Sequence, residues 1–438
     1  MKKLAWWLAC FSALLGSLHF VRLRAPSGLR LWLPKLMAGA LSPFLALTGA
    51  FGAVLGFLSK KPFTFLLGVY GLVASGRYVR RVTAFHDGFE RAFGPGWEER
   101  IPIERRLQML HRRWTWIAPS PPPARWERDV PFWSLSDSGR QLLCDLWRPP
   151  ADARPSGLAL IYLHGSAWCL GDKDLGTRTF FRHLAGQGHV VMDVAYRMYP
   201  EVGLRGMLDD VRRAIVWMKT NAAQYQARPD RIVLMGGSAG GHLALLAAYT
   251  SLQSVFPTED LQDADTSVRA VVAFYGPGEL RRSSRQAEVG TKASSRPGFF
   301  ERQRQLPKSV ETAFGIVLGE RAVRLLADTL AKLPDIGHLD RIVGGAPSDL
   351  DEMIRLASPI THVSPACPPT LLLHGEHDLL VPIESSRALY RKLRGAGVPA
   401  VLVEFPQTDH AFDLVAPRIS PTAQAALYDV ERFLALME

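Results

Sequence analysis

Acidic side chains are missing from the start of this chain: no aspartate or glutamate precedes Asp87. Eleven lysines and arginines fall within residues 1–81, from Lys2-Lys3 to Arg80-Arg81. The chain has 438 residues and a formal net charge of +11, yet the 357 residues after Arg81 carry 41 basic and 41 acidic side chains. All the excess positive charge therefore lies in the most apolar part of the chain. That is the pattern of membrane flanks, and it excludes a nucleic-acid-binding face as the source of the basic character. Cysteine is also scarce. Four in 438 residues exclude a disulfide framework, and no pair has the spacing of zinc ligands. With 47% hydrophobic and 21% charged residues, the chain is not a disordered one.

Three uncharged apolar runs fill the acid-free region: Leu4–Val21, Leu36–Ser59 and Phe63–Gly76. About 20 apolar residues cross a bilayer core as a helix, so residues 1–81 read as a membrane-anchoring region of two or three spans, with the 24-residue Leu36–Ser59 as one continuous span. Lys2-Lys3 ahead of the first run raises a signal peptide. No small-x-small cleavage site closes that run, however, and Val21-Arg22-Leu23-Arg24 follows directly, which favours an uncleaved anchor. Gly52 and Gly56, beside Gly49 and Ala53, have the small-xxx-small spacing that lets membrane helices pack closely, although glycine is common in such helices anyway. With three spans, residues 22–35 and the segment after 76 share a side and carry the larger basic load. The positive-inside rule then puts the C-terminal region in the cytoplasm; two spans would remove that argument. In the linker, residues 82–129, Ile103, Leu107, Leu110, Trp114 and Ile117 repeat at helical spacing, with Arg105, Arg106, Arg112 and Arg113 as a basic side. A helix over 103–117 either lies in the headgroup region or packs on a globular domain. The proline run Pro119–Pro123 then marks a boundary, and residues 130–438 read as one domain.

That domain alternates short β-rich runs with helical ones. Leu142–Trp147, Leu158–Leu163, His189–Ala195, Arg231–Met235, Val268–Phe274, Thr370–Leu373 and Ala400–Phe405 read as strands, most of them apolar throughout, as strands covered on both faces must be. The class is α/β, with a mostly parallel sheet and helices on both faces, and sites on such sheets gather at the carboxyl ends of strands. Arg231–Met235 runs into Gly236-Gly237-Ser238-Ala239-Gly240-Gly241 and then a helix. This Gly-x-Ser-x-Gly turn projects Ser238 above the sheet, with small neighbours where strand and helix crowd together. A serine hydroxyl needs a base and an orienting acid. Asp378 follows the strand Thr370–Leu373, and His410 follows Ala400–Phe405. Glu376 and Asp413 are alternative carboxylates; Asp409 reads as a loop residue, and His374 and His242 as packing or hydrogen-bonding groups. The strand Leu158–Leu163 ends in His164-Gly165-Ser166-Ala167-Trp168. Backbone N–H groups of Gly165, Ser166 and Ala167, with that of Ala239, are candidate oxyanion donors. No metal or cofactor is called for.

Together these residues resemble the α/β-hydrolase superfamily, particularly the esterase–lipase group related to hormone-sensitive lipase and the bacterial carboxylesterases. His164–Trp168 is similar to that group's His-Gly-Gly-x-Trp turn, and Tyr196-Arg197…Pro200-Glu201 and Ser358–Val363 match further segments. Ser166 departs from it, standing where the group usually has glycine. The isoprenylcysteine methylesterase group is similar in its turn and in its plan of apolar N-terminus plus esterase domain. The resemblance implies carboxylic ester cleavage by Ser238, His410 and Asp378 on a small or lipophilic ester; the membrane segment points to the lipophilic kind, and the N-terminal region makes the bilayer a partner. An amidase, an acyltransferase and a silent interaction module of the same fold are the alternatives. The stretch from about 277 to 364 interrupts the sheet. There Arg281–Pro297 reads as a loop and Val310, Phe314, Val317 and Leu318 as one helix face. Such an insertion is either a lid over the site or a packed excursion.

Overall fold

The structure, a computed structural model, describes the chain except for residues 25–27, 252, 254, 281–338 and 345–346. The eight strands among the described residues are β1 Arg125–Ser134, β2 Gln141–Arg148, β3 Gly157–Leu163, β4 Val190–Val194, β5 Ala227–Gly237, β6 Ala270–Phe274, β7 Thr370–Gly375 and β8 Ala400–Phe405. They form one sheet in the order β1-β2-β4-β3-β5-β6-β7-β8. β1 and β2 are antiparallel to each other, β2 is antiparallel to β4, and every later pairing is parallel. This is the mostly parallel sheet expected from the alternation, and it fits the α/β-hydrolase fold that the resemblance implies. Side chains of β3 divide between two cores: Ala159, Ile161 and Leu163 face one, and Leu158, Leu160 and Tyr162 the other. Covering both faces is why these strands read as unbroken apolar runs.

β1 escaped the sequence reading. Its exposed residues include Arg125 and Asp129, Pro131 interrupts it, and its register with β2 shifts twice. An edge strand of this kind carries no apolar run to detect. β1 begins at Arg125, ahead of the boundary expected at residue 130.

The expected helix over 103–117 is also corrected. It covers only Ile103–Gln108. From Leu110 to Ala118 the chain instead lies along the C-terminal helix Pro421–Met437 and the loop preceding it. Leu110 N–H donates to Glu431 (2.9 Å), Thr115 N–H to Gln424 (2.8 Å), and Ala118 N–H to the Arg418 carbonyl (2.7 Å). Arg113 pairs with buried Asp429. These long-range acceptors take N–H groups that a helix would have used internally.

The N-terminal region forms α1 Lys2–Ser17, α2 Leu29–Ala40, α3 Ser42–Leu58 and α4 Pro62–Val82. The expected continuous span Leu36–Ser59 is broken: α2 and α3 meet at 78°. Pro43 has no N–H for the Gly39 carbonyl four residues back, and the Ser42 hydroxyl donates to it instead at 2.8 Å. α1, α3 and α4 pack together through small residues. A Cβ on Gly52 would lie 2.8 Å from the Ala9 nitrogen, and one on Gly68 2.4 Å from the Ala53 nitrogen. Leu4, Trp7, Phe11 and Leu14 of α1, Phe51, Val54 and Phe57 of α3, and Phe63, Leu66 and Val73 of α4 are exposed. α1 with the turn after it, Lys2–Phe20, is long and apolar enough to cross a membrane, and the bent α2–α3 pair passes the same test together.

α2 turns the other way, onto the sheet domain. Leu29, Trp32 and Leu36 share a buried cluster with Leu379 and Val415. At its C-terminal end α4 adds Tyr78 and Val82 to the core on one face of the sheet.

The two ends of the insertion are built into the opposite core through Leu280, Ile342, Val343, Ile354 and Ala357. The loop expected at Arg281–Pro297 and the helix face Val310, Phe314, Val317 and Leu318 lie outside the described residues.

Candidate active site

β5 ends at Gly237, and the helix Ala239–Tyr249 starts one residue past Ser238. Ser238 makes that reversal at φ 54° and ψ −120°, a conformation disfavoured for a residue with a Cβ. Its N–H is anchored to the Phe274 carbonyl at 2.9 Å. Gly236 and Gly240 are required by contact. A Cβ on Gly240 would lie 1.9 Å from the Leu163 carbonyl oxygen, and one on Gly236 2.5 Å from the Gly240 carbonyl carbon.

The turns after β7 and β8 bring the other two residues to this point. His410 Nε2 lies 3.0 Å from Ser238 Oγ, and His410 Nδ1 lies 2.7 Å from Asp378 Oδ2. Asp378 Oδ1 accepts the N–H groups of Leu380 (2.8 Å) and Val381 (2.7 Å). His374 Nε2 stands 3.3 Å from Asp378 Oδ2, while its Nδ1 meets Ser386 Oγ at 2.7 Å. Burial alone would raise the Asp378 pKa. The charge of His410 and the hydrogen bonds from His374 and His410 outweigh it and hold the carboxyl below the ordinary carboxylate range. A carboxylate fixed on Nδ1 leaves Nε2 free to accept a proton from the serine. His410 and Asp378 are buried, whereas Ser238 keeps partial exposure.

Of the alternative carboxylates, Asp413 accepts from Tyr275 Oη at 2.5 Å, and Glu376 accepts the Gln407 N–H at 3.1 Å. Neither meets the His410 ring. Burial pushes the Asp413 carboxyl up to about 6, opposed by the Tyr275 hydrogen bond. His242 plays the packing role expected: its Nε2 meets the Ala357 carbonyl at 2.8 Å, its ring is T-shaped against Trp168, and burial lowers its pKa to about 4.

The turn after β3 passes directly beside the serine. A Cβ on Gly165 would lie 3.3 Å from Ser238 Cβ and 3.1 Å from the Gly237 oxygen, so only glycine allows this approach without a shift. Ser166, Ala167 and Trp168 follow at φ 97°, 54° and 62°, three left-handed residues in succession. Ser166 thus occupies a backbone conformation that favours glycine. The turn is held from behind. Tyr196 Oη donates to the His164 carbonyl at 2.8 Å, and the two rings stack at 4.5 Å. Arg197 forms a two-pronged pair with buried Asp210 at 2.9 and 2.7 Å. Ala239 is the buried first residue of the helix.

Four residues at this site escaped sequence reasoning. Asp409 is not a simple loop residue. Its Oδ1 accepts the N–H groups of Leu379 (3.0 Å) and His410 (2.9 Å), and its Oδ2 accepts from Lys35 Nζ of α2 at 3.0 Å. Trp32 Nε1 donates to the His410 carbonyl at 3.3 Å, and Tyr78 Oη meets Thr408 Oγ1 at 3.0 Å. The one available signal was Lys35, a cation set between Trp32-Leu33-Pro34 and Leu36-Met37 in an otherwise apolar stretch.

The BD-FAE family model matches residues 144–314 and 334–393, more than half the chain. The probable carboxylic ester hydrolase LipM of Mycobacterium tuberculosis is 33% identical over 305 residues, 69% of this chain and 60% of LipM. Esterase LipQ of the same organism is 28% identical over 354 residues, 78% of this chain and 72% of LipQ. The match therefore spans about three fifths of LipM's own length. Among solved structures, the apo form of Thermogutta terrifontis esterase 2 superposes with a TM-score of 0.50 at 22% identity, covering 72% of this chain and 95% of its own. Esterase B from Lactobacillus rhamnosis gives 0.51 at 23% identity, with 73% and 89% covered. Both share the fold.

Proposed function

The chain belongs to the BD-FAE family of esterase/lipase α/β-hydrolases, and from that premise we propose that it is a membrane-anchored serine hydrolase of carboxylic esters. The observation that carries the reading is the hydrogen-bonded series Ser238–His410–Asp378 at the ends of β5, β8 and β7. The relatives named above are themselves a carboxylic ester hydrolase and an esterase.

The chemistry follows from the geometry. Ser238 Oγ attacks the ester carbonyl as His410 Nε2 takes its proton. Asp378 holds the ring by Nδ1 and stabilises the imidazolium that forms. The negative charge developing on the carbonyl oxygen is met by backbone N–H groups of Ser166, Ala167 and Ala239, with Gly165 bringing the turn close to the serine. Each such donor contributes about 3–4 kcal/mol of transition-state stabilisation. The imidazolium returns its proton to the leaving alcohol. Water, deprotonated by the same nitrogen, then cleaves the acyl-enzyme and restores Ser238.

The membrane part of the proposal rests on α1, α3 and α4, whose exposed apolar side chains would face lipid. Trp6 of α1 meets Phe63 of α4, placing Lys2-Lys3 and Lys60-Lys61 at one end of the bundle. The opposite end, with Arg22, Arg24, Arg77, Arg80 and Arg81, adjoins the sheet domain. The positive-inside rule then puts the hydrolase domain in the cytoplasm. We divide the chain accordingly into a membrane region to Val82, a strap from 83 to 124, and the hydrolase domain from Arg125.

The test is a rate series on aryl esters of increasing acyl length with an aryl amide alongside, using the full chain in detergent. Ester turnover well above amide turnover is expected. Preferential cleavage of the amide would reassign the chain as an amidase.

A further inference from the structure

Three consecutive residues of the loop that carries His410 are each held by one side chain from the N-terminal helices. Tyr78 of α4 meets Thr408 at 3.0 Å, Lys35 of α2 donates to Asp409 at 3.0 Å, and Trp32 of α2 donates to the His410 carbonyl at 3.3 Å. The Lys35–Asp409 pair is almost wholly enclosed, with side-chain exposures of 3% and 0%. Asp409 is the pivot. The oxygen not used by Lys35 accepts the N–H of Leu379, next to Asp378, and the N–H of His410 itself, at 3.0 and 2.9 Å. One carboxylate thus ties the loop of the acid to the loop of the base, and a cation from outside the hydrolase fold fixes its orientation. A salt bridge this buried is weak evidence for stability, because desolvation offsets much of the attraction. Its geometric consequence is the stronger one: a buried carboxylate without its cation turns or takes a proton, and both backbone N–H groups lose a fixed acceptor.

We propose that Lys35 is a positioning residue for the triad, so that the N-terminal membrane region is a structural part of the active site as well as its anchor. Lys35 touches no reacting atom. It sets Asp409, and Asp409 sets the spacing between Asp378 and His410. The inference rests on the hydrolase reading above.

The test uses the full chain in detergent and a short-acyl aryl ester. Lys35→Met is expected to lower kcat on the order of 10–100-fold, the effect of a small misplacement of reacting groups. KM should stay within about twofold, because substrate binding is not addressed. Trp32→Phe keeps an aromatic ring but removes the indole N–H that donates to His410 together with some buried volume, and should lower kcat about threefold with KM unchanged in the fraction that stays folded. Should Lys35→Met fail to fold, Trp32→Phe decides alone. Variants whose kcat matches the wild type overturn the inference and leave the hydrolase reading standing. An inactive wild type overturns both.

Discussion

At Ser238 the backbone is bent to φ 54°, and at Ser166 to φ 97°, so two residues with a Cβ sit where glycine is favoured. The first was legible in the sequence, because Gly236 and Gly240 flank it and the turn has a steric signature. Asp378 and His410 were legible for the same local reason: each follows the end of an apolar strand. Asp409 was not, since its meaning comes from Lys35, 374 positions away. Asp413 shows how a rejected alternative acquires a different role. Its carboxyl is pushed from 3.8 to about 6 by burial, so the folded protein keeps a proton that the unfolded chain releases between those values. Stability conferred by the neutral carboxyl is present below pH 3.8 and is lost as pH rises through about 6. Asp413→Asn retains an acceptor for Tyr275 and removes that loss. At pH 7 the variant should be more stable, by on the order of 2–3 kcal/mol, and its denaturation midpoint should no longer fall between pH 4 and 6. A midpoint that still falls across this window assigns the loss to another group.

The elements divide by how much of their pattern is local. β3, β4, β6 and β7 are apolar runs buried on both faces and lie where expected, give or take an end residue, and β2, β5 and β8 keep an apolar centre although β5 starts early, at Ala227; β1 is a charged edge strand whose place depends on pairing with β2. The 103–117 periodicity was real, yet the helix stopped at Gln108 because Glu431, Gln424 and Arg418 supply partners that no local pattern contains. The α2–α3 break was marked by Pro43 inside a run whose hydrophobicity alone suggested continuity. Glycines of α4 separate packing from propensity. A Cβ on Gly68 would meet the Ala53 nitrogen at 2.4 Å, while one on Gly76 meets nothing within 4 Å. Gly76→Ala should therefore stabilise by about 0.5–1 kcal/mol through reduced chain entropy. Gly68→Ala should destabilise by about 1–3 kcal/mol through overpacking. Thermal midpoints in detergent check the two signs; a Gly68→Ala variant no less stable than the wild type would show that the three helices are not packed this closely.

Across the whole molecule, the division of charge at residue 81 corresponds to a division of labour that is incomplete in space. The acid-free region supplies three closely packed apolar helices, and it also supplies α2, whose Lys35 and Trp32 end beside the triad. Membership of an esterase/lipase family accounts for the sheet. It gives no account of why helices of the N-terminal region should hold the loop of His410. The central claim is that Ser238 is a nucleophile activated by His410 within this intact assembly. It is tested most directly by treating the detergent-solubilised full chain with a fluorophosphonate probe and locating the label by peptide mass. The account predicts one label per chain, on Ser238, and none on the Ser238→Ala variant. An unlabelled wild type, or a label that persists in Ser238→Ala, would contradict it.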